Sequence, residues 1–80
     1  MDAGVAFGKV LRRLRNEVGQ TQEKLGFEAN LQRTYVSILE LGQQQPSLTT
    51  VLKLATALGK SGADFVKLVE AELASGKRKR

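Results

Sequence analysis

The sequence predicts an all-α protein of five short helices, and three observations support that prediction. Apolar residues recur three and four positions apart, which places them on one face of a helix. Capping residues and single glycines separate these segments, as they do at helix ends. No stretch alternates apolar and polar residues for long enough to form a strand. With 80 residues, the chain can build one core and therefore one domain.

The first three helices follow from this spacing. The first ends at Gly19 and carries an apolar stripe of Phe7, Val10, Leu11, Leu14 and Val18. Thr21 caps the second helix, which runs to Ala29 and turns Leu25 inward. The third runs from about Gln32 to Leu41, and its predicted buried side consists of Val36 and Leu39.

The last two helices begin at clear capping signals. Ser47 caps the fourth helix after Pro46, and its predicted stripe is Leu48, Val51, Leu52, Ala55 and Leu58. Ser61 and Asp64 form a capping box for the fifth helix, whose stripe is Phe65, Leu68, Val69 and Leu73. We expect the chain to fray after Gly76, which gives a domain of residues 1–76 and a basic disordered tail of residues 77–80.

The composition excludes several classes of function. Without Cys or His, the chain has no disulfides, no thiolate or imidazole metal ligands and no histidine for acid–base catalysis. Its glycines are scattered, so no phosphate-binding loop is present, and no segment resembles a signal peptide or a membrane span. We therefore expect a cytoplasmic binding protein with no catalytic residues, metal, cofactor, small-molecule ligand or membrane contact.

The positive charge is concentrated in two places. Four of the 13 cations lie in residues 77–80, which leaves nine against eight acidic residues in the rest of the chain. The second concentration is in the first helix, at Lys9, Arg12, Arg13 and Arg15. From composition alone, a solvated face and a surface for a polyanion remain equally open. The tail residues Lys77–Arg80 are either a phosphate clamp or minor-groove arm, or a disordered solubilising end.

The second and third helices have the spacing of a helix-turn-helix, about residues 21–41. Asn30 lies in the turn, where it tolerates a left-handed conformation better than most residues. Gly26 costs about 1 kcal/mol within a helix relative to alanine, and close approach of the third helix is the favoured reason for it. The outer face of the third helix carries Arg33, Thr34 and Ser37, whose donors and acceptors suit DNA base edges.

The segment TQEKLGFEANLQRTYVSILELGQQQPSLTTVLKLATALG resembles the Cro/phage-repressor, or XRE-type, helix-turn-helix family, and the likeness extends over about residues 7–70. RTYVS is similar to the small controller proteins of restriction–modification systems. The resemblance implies a compact five-helix, lambda-repressor-like DNA-binding domain of bacterial, phage or plasmid origin. It also implies a transcriptional regulator that binds double-stranded DNA in a sequence-specific manner.

The resemblance also implies roles for individual residues. Arg33, Thr34 and Ser37 match positions that contact bases. The positions implied to contact phosphates are Thr21, Gln22, Gln32, Tyr35, Gln43 and Gln44. Arg15 and Glu40 match an internal ion pair, and the alternative is that they are two ordinary surface charges.

The chain departs from the family pattern beyond the third helix's first half. Ile38, Leu41 and Gln43–Gln45 stand where Arg, Lys or Asn is frequent in the family, which predicts a weaker electrostatic grip on DNA. Ile38 and Leu41 either contact thymine methyl groups or pack against the start of the fourth helix.

The fifth helix is apolar over more than the roughly 100° arc that packing on a core requires. This surplus, together with the resemblance, predicts a homodimer on a palindromic operator, with an interface of Phe65, Val66, Val69 and Leu73. Phe27 is either a second exposed patch or folded onto its own chain. The alternative function is a protein-interaction module of the same fold with little or no DNA binding.

Overall fold

The structure is a computed structural model that describes residues 1–78. Five helices follow one another: α1 (Ala3–Glu17), α2 (Gln22–Ala29), α3 (Arg33–Glu40), α4 (Leu48–Ala57) and α5 (Gly62–Arg78). The five-helix, all-α fold predicted from the sequence is confirmed. No helix in the described part of the chain is both long and apolar enough to cross a membrane.

The helix starts are set by side-chain caps. The oxygens of Thr21, Ser47 and Ser61 accept hydrogen bonds from the backbone N–H three residues on, at 3.0 to 3.1 Å. Asp2 caps α1 in the same way, with its Oδ1 accepting from the N–H of Val5 at 2.8 Å. Each bond satisfies a donor that the first turn of a helix otherwise leaves unpaired. The three caps predicted from the sequence are therefore confirmed, and Asp2 is a fourth.

The end of α5 lies beyond Gly76, at which the sequence predicts that the chain frays. α5 continues through Gly76 to Arg78, whereas the sequence placed a disordered tail at residues 77–80. One glycine costs a helix only about 1 kcal/mol, and the Ala, Ser, Lys and Arg residues around it do not break a helix. Met1 also packs over Gly76, where a Cβ atom would lie 2.8 Å from its Cε. Lys79 and Arg80 lie outside the described residues.

All five helices contribute to one core. α1 packs on α3 and α5, α2 packs on α3 and α4, and α4 packs on α5. The rings of Phe7 and Phe65 stack in the middle, with centroids 4.9 Å apart. Val36 and Leu39 anchor α3 and are fully buried, as the sequence predicts. This arrangement leaves the opposite face of α3 free.

Three residues that the sequence assigned to buried stripes are exposed instead. Val18 forms the C-terminal cap of α1, beyond the neighbours that cover the rest of its stripe. On α4, Leu54 is fully buried, whereas Leu48 is 72% exposed and Leu52 is 48% exposed. The buried face of α4 follows Thr50, Leu54 and Leu58, because α2 and α5 lie on that side. The outer face of α4 therefore exposes two leucines beside Thr49, Lys53 and Thr56.

Candidate nucleic-acid interface

The turn between α2 and α3 is fixed by backbone hydrogen bonds. Asn30 ends α2 with a left-handed backbone, φ 59°, as the sequence predicts. The N–H of Leu31 donates to the carbonyl of Gly26 at 2.7 Å, and the N–H of Asn30 donates to that of Phe27 at 3.2 Å. This pair of bonds is the Schellman arrangement, which reverses the chain tightly at a helix end. It sets the direction in which α3 leaves α2.

Gly26 allows the backbone of the turn to lie directly on α2. A Cβ atom at this position would be 2.7 Å from the carbonyl oxygen of Leu31 and 3.4 Å from the backbone nitrogen of Arg33. Real side chains do not approach backbone atoms this closely, so any other residue would displace the start of α3. The close approach predicted for Gly26 is confirmed.

Gly8 performs the same role for the other end of α3, which was not predicted from the sequence. A Cβ atom on Gly8 would overlap the carbonyl oxygen of Leu39 and lie 2.7 Å from that of Glu40. α1 and α3 therefore touch backbone to backbone. The available signal was the pair of glycines four residues apart, Gly4 and Gly8, since this spacing places both on one face of α1.

A buried ion pair joins α1 to the end of α3. Arg15 Nε donates to Glu40 Oε2 at 2.6 Å, and Arg15 Nη2 donates to Glu40 Oε1 at 3.0 Å. The side chains are only 13% and 3% exposed, so the two residues are not ordinary surface charges. The hydrogen bond to Glu40 raises the pKa of the Arg15 guanidinium, although burial acts in the opposite direction. The ion pair that the resemblance implied is present.

The same network ties in the start of α2. Arg15 Nη1 donates to the carbonyl oxygen of Gln20 at 2.8 Å, and Gln22 Nε2 donates to Glu40 Oε1 at 3.0 Å. Gln22 thus has an internal partner that the resemblance did not imply. Its second amide hydrogen is available for another acceptor, since the side chain of glutamine carries two. Three helices meet at this one carboxylate.

The outer face of α3 carries the residues predicted to contact bases. Arg33 and Thr34 are exposed, and Ser37 is half-buried beside them. Leu41, immediately after α3, is 61% exposed, so it does not pack against the start of α4 as one reading of the sequence allowed. Ile38 is half-buried. The face therefore presents one guanidinium and two hydroxyls, with apolar groups towards its end.

The residues predicted to contact phosphates lie at the start of α2, at the start of α3 and within it, and after its end. Thr21, Gln32, Gln43 and Gln44 are exposed, while Gln22 and Tyr35 are half-buried. Gln32 is the N-cap of α3, yet its side chain makes no capping hydrogen bond. Its amide is therefore not used by the helix. Tyr35 packs partly against the core, which fixes the direction of its ring.

The predicted dimer surface needs one correction. Phe65 is fully buried and stacks on Phe7, so it belongs to the core and offers nothing to a partner. The sequence could not predict that Phe65 is buried, because the spacing of apolar residues on α5 does not show which of them the rest of the protomer covers. Val66 is exposed, and Val69 and Leu73 are half-buried. Val66 and Val69 also line a surface cleft together with Pro46 and Val51.

Phe27 is the most exposed large apolar side chain among those described. It is 85% exposed on the outer face of α2, so the reading that folds it onto its own chain is wrong. Glu28 lies beside it and accepts hydrogen bonds from Gln20 and Lys24, which lower the pKa of its carboxyl group. Phe27 is thus an isolated ring among polar groups.

Comparison with known proteins places this geometry in a family. The helix-turn-helix family pattern matches residues 11–65. The control protein C.BamHI of Bacillus amyloliquefaciens is 39% identical over 61 residues, which cover 75% of each chain. The restriction–modification controller protein C.AhdI of Aeromonas hydrophila is 45% identical, with a TM-score of 0.75 over 78% of this chain and 94% of that one.

A second group of relatives comprises regulators of other genes. The clp gene regulator ClgR of Corynebacterium glutamicum is 27% identical, with a TM-score of 0.90 over 96% of this chain and 82% of that one. These relatives are regulators and controller proteins, which points away from catalysis. The chain belongs to the XRE-type helix-turn-helix family of transcriptional regulators, with restriction–modification controller proteins among its relatives.

Proposed function

We propose that the protein is a dimeric, sequence-specific regulator of transcription that reads a palindromic operator by placing α3 in the major groove. The observation that carries this proposal is the exposed face of Arg33, Thr34 and Ser37 on a helix whose opposite face is anchored in the core. The major groove admits an α-helix, and each base pair presents a distinct pattern of donors and acceptors there. A regulator of this kind acts in the bacterial cytoplasm.

Arg33 supplies the strongest reading contact. Its guanidinium makes no ion pair within residues 1–76, so both of its terminal nitrogens are available to fork onto guanine O6 and N7. Thr34 and Ser37 add hydroxyls that can donate or accept. The residues that position the duplex through its phosphates are Thr21, Gln22, Gln32, Tyr35, Gln43 and Gln44. Such contacts set register and carry no sequence information directly.

A second copy of the chain completes the reading unit. α3 has eight residues and is therefore about 12 Å long, which is too short to cover a full turn of DNA. Two copies related by a two-fold axis place their recognition helices about 34 Å apart, on successive turns of one face. The surface for this contact is the outer face of α4 and α5, which we call the α4–α5 face. It consists of Leu48, Leu52, Val66, Val69 and Leu73.

Selection of bound sequences from a pool of random duplexes tests the whole proposal. We expect enrichment of a palindrome whose half-sites lie about 10 base pairs apart, centre to centre. A single short site without symmetry would contradict the dimer. No enrichment at all would contradict sequence-specific binding.

Arg33→Ala tests direct reading by α3. We expect a loss of roughly 1–3 kcal/mol on the selected operator and relaxed preference at one position in each half-site. Lys67→Ala is the matched control, since it removes an exposed cation from α5, which does not pack on α3. An equal loss on operator and on random duplex would show that Arg33 only contributes charge.

Two observations favour the alternative of a protein-interaction module. Phe27 is exposed on α2, and the surface after α3 is uncharged from Leu41 to Gln45. A gel shift with random-sequence duplex at low salt separates the two functions. A shift supports the regulator, whereas no shift from a folded oligomer supports the interaction module.

A further inference from the structure

We propose that α1 provides a second DNA-binding surface, which contacts the phosphate backbone beside the groove that α3 enters. The surface consists of Lys9, Arg12 and Asn16, and we call it the α1 stripe. This inference rests on the proposed function, because it assigns a further contact to the same duplex. It concerns affinity for DNA of any sequence and leaves base reading to α3.

The α1 stripe supplies positive charge that the surface around Arg33, Thr34 and Ser37 lacks. Arg33 is the only cation between Asn30 and Pro46, and the positions after α3 are neutral. Neutralisation of phosphates supplies essentially all non-specific affinity for DNA, so a regulator needs cations near the groove. Lys9 and Arg12 are exposed, and neither forms an ion pair within residues 1–76. They are therefore available to phosphates.

The position of α1 brings this stripe to the edge of the reading face. Val5, Lys9, Arg12 and Asn16 share one side of α1, since they are three and four residues apart. Val5 begins that side and contacts Gly42, where a Cβ atom would lie 3.0 Å from Val5 Cγ2. At the other end of the helix, Arg15 bonds to Gln20 and shares Glu40 with Gln22. The stripe thus runs between two predicted phosphate contacts, Gln43 and Gln22.

The stripe also points in the appropriate direction. On α1 the core lies on the side of Phe7 and Leu14, and on α3 it lies on the side of Val36 and Leu39. Because the two helices touch directly at Gly8, the core lies on one side of the pair. The α1 stripe and the face of Thr34 and Ser37 both lie on the other side. One duplex can therefore contact both.

Two neighbouring charges define the limits of the stripe. Arg13 lines the same shallow groove as Lys9 and Arg12, but it donates to Glu72 on α5 at 3.3 Å, so we leave it out of the stripe. Glu17 lines the same shallow groove as Lys9 and Arg12, and it lies at the end of α1 furthest from Gly42. We therefore assign the main contacts to Lys9 and Arg12, with Asn16 as a neutral donor.

The test compares two charge-matched double variants on random-sequence duplex over a series of salt concentrations. Lys9→Gln with Arg12→Gln should flatten the slope of log K against log salt by up to about 0.9 for each lost contact, per protomer. Lys60→Gln with Lys67→Gln removes the same charge from the α4–α5 side and should leave the slope near that of wild type. Arg12→Lys should retain most of the wild-type slope, because the charge remains.

The outcomes separate this inference from the function on which it rests. Equal slopes for the two double variants would overturn the α1 stripe and leave reading by α3 intact. A wild-type protein that binds no duplex at low salt would overturn both. Loss on the selected operator alone, without loss on random duplex, would assign Lys9 and Arg12 to base reading and so contradict a phosphate contact. Thermal unfolding of each variant confirms that the fold is retained.

Discussion

The two sides of this small domain are built in opposite ways. Where α1 meets α3, the backbones touch at Gly8, and the Arg15–Glu40 pair closes the contact with its charges nearly shielded from water. On the α4–α5 face, Leu48 and Leu52 stand exposed although they are apolar. The α1–α3 contact is complete within one protomer. The α4–α5 face leaves apolar side chains exposed, which association with a partner would bury.

Under the proposed function, this difference would allow one chain both to read DNA and to assemble. Reading requires that Arg33 be held in a fixed position, because a small displacement moves a side chain off its base edge. The glycines and the ion pair provide that fixed position without any partner. Assembly requires a surface that can be covered and uncovered, and exposed leucines provide it at no cost to the core. The two requirements fall on different helices.

The largest effect is expected where the α1–α3 contact loses its charge balance. Arg15→Met leaves Glu40 buried without its cation and removes a hydrogen bond from the Gln20 carbonyl. We expect a loss of about 3–5 kcal/mol in the free energy of unfolding, measured by urea denaturation. Arg13→Met on the same helix removes an exposed pair with Glu72 and should cost less than about 1 kcal/mol.

A double variant then distinguishes charge from packing. Arg15→Met with Glu40→Leu removes both charges, and replacement of a buried pair by apolar groups is often neutral or stabilising. Recovery of most of the free energy of unfolding would show that the loss in Arg15→Met comes from the buried, unpaired carboxylate of Glu40. If Arg15→Met and Arg13→Met were equally mild, the pair would contribute nothing special to the position of α3.

Local signals predicted most of the fold, because caps and apolar periodicity act within a few residues. Thr21, Ser47, Ser61 and Asn30 were identified in this way. The errors concern contacts between distant segments. Apolar residues three and four positions apart show that a helix has an apolar face. This spacing cannot show which of those residues a neighbouring helix covers.

Three residues illustrate that limit. Leu48 and Leu52 belong to the apolar stripe predicted for α4 but stay 72% and 48% exposed, although the end of the Leu52 side chain reaches Gly62 at the start of α5. Phe65 belongs to the apolar arc of α5 that predicts a dimer interface, yet it stacks on Phe7 in the core. For the site, the ion pair was predicted from the family resemblance and is present, whereas base reading by Arg33, Thr34 and Ser37 stays a prediction. The contact at Gly8 was not predicted, because it depends on the backbone of residues 39 and 40.

A smaller effect is expected from adding one methyl group to each of two glycines. Gly8→Ala places a Cβ atom against the carbonyl oxygens of Leu39 and Glu40, which cannot move without displacing α3. We expect a loss of about 2–3 kcal/mol in the free energy of unfolding, in the range of overpacked interiors. Gly62→Ala meets only the end of the exposed Leu52 side chain, which can rotate away. It should lie within about 1 kcal/mol of wild type.

Binding adds a second measurement to this pair of variants. Gly8→Ala should also weaken binding to the selected operator at a temperature where the variant is folded, because α3 has shifted relative to α1. Gly62→Ala should not. Equal stability of the two variants would mean that α1 and α3 can separate freely, and the contrast between the two sides of the molecule would then fail.

The smallest effect on the protomer, and the clearest on assembly, is expected from the α4–α5 face. Leu52→Gln replaces an exposed apolar side chain by a polar one, so the unfolding free energy should change by less than about 0.5 kcal/mol, as for other surface sites. The dissociation constant of the dimer should rise about tenfold, because a loss of about 1.4 kcal/mol in the free energy of association corresponds to that factor. Sedimentation equilibrium over a series of concentrations measures it. Leu41→Gln is the matched control, because Leu41 is at least as exposed but lies beside the reading face. If Leu41→Gln dissociated the dimer and Leu52→Gln did not, the assembly surface would lie on the DNA-reading side, and the division of roles between the two halves would be wrong.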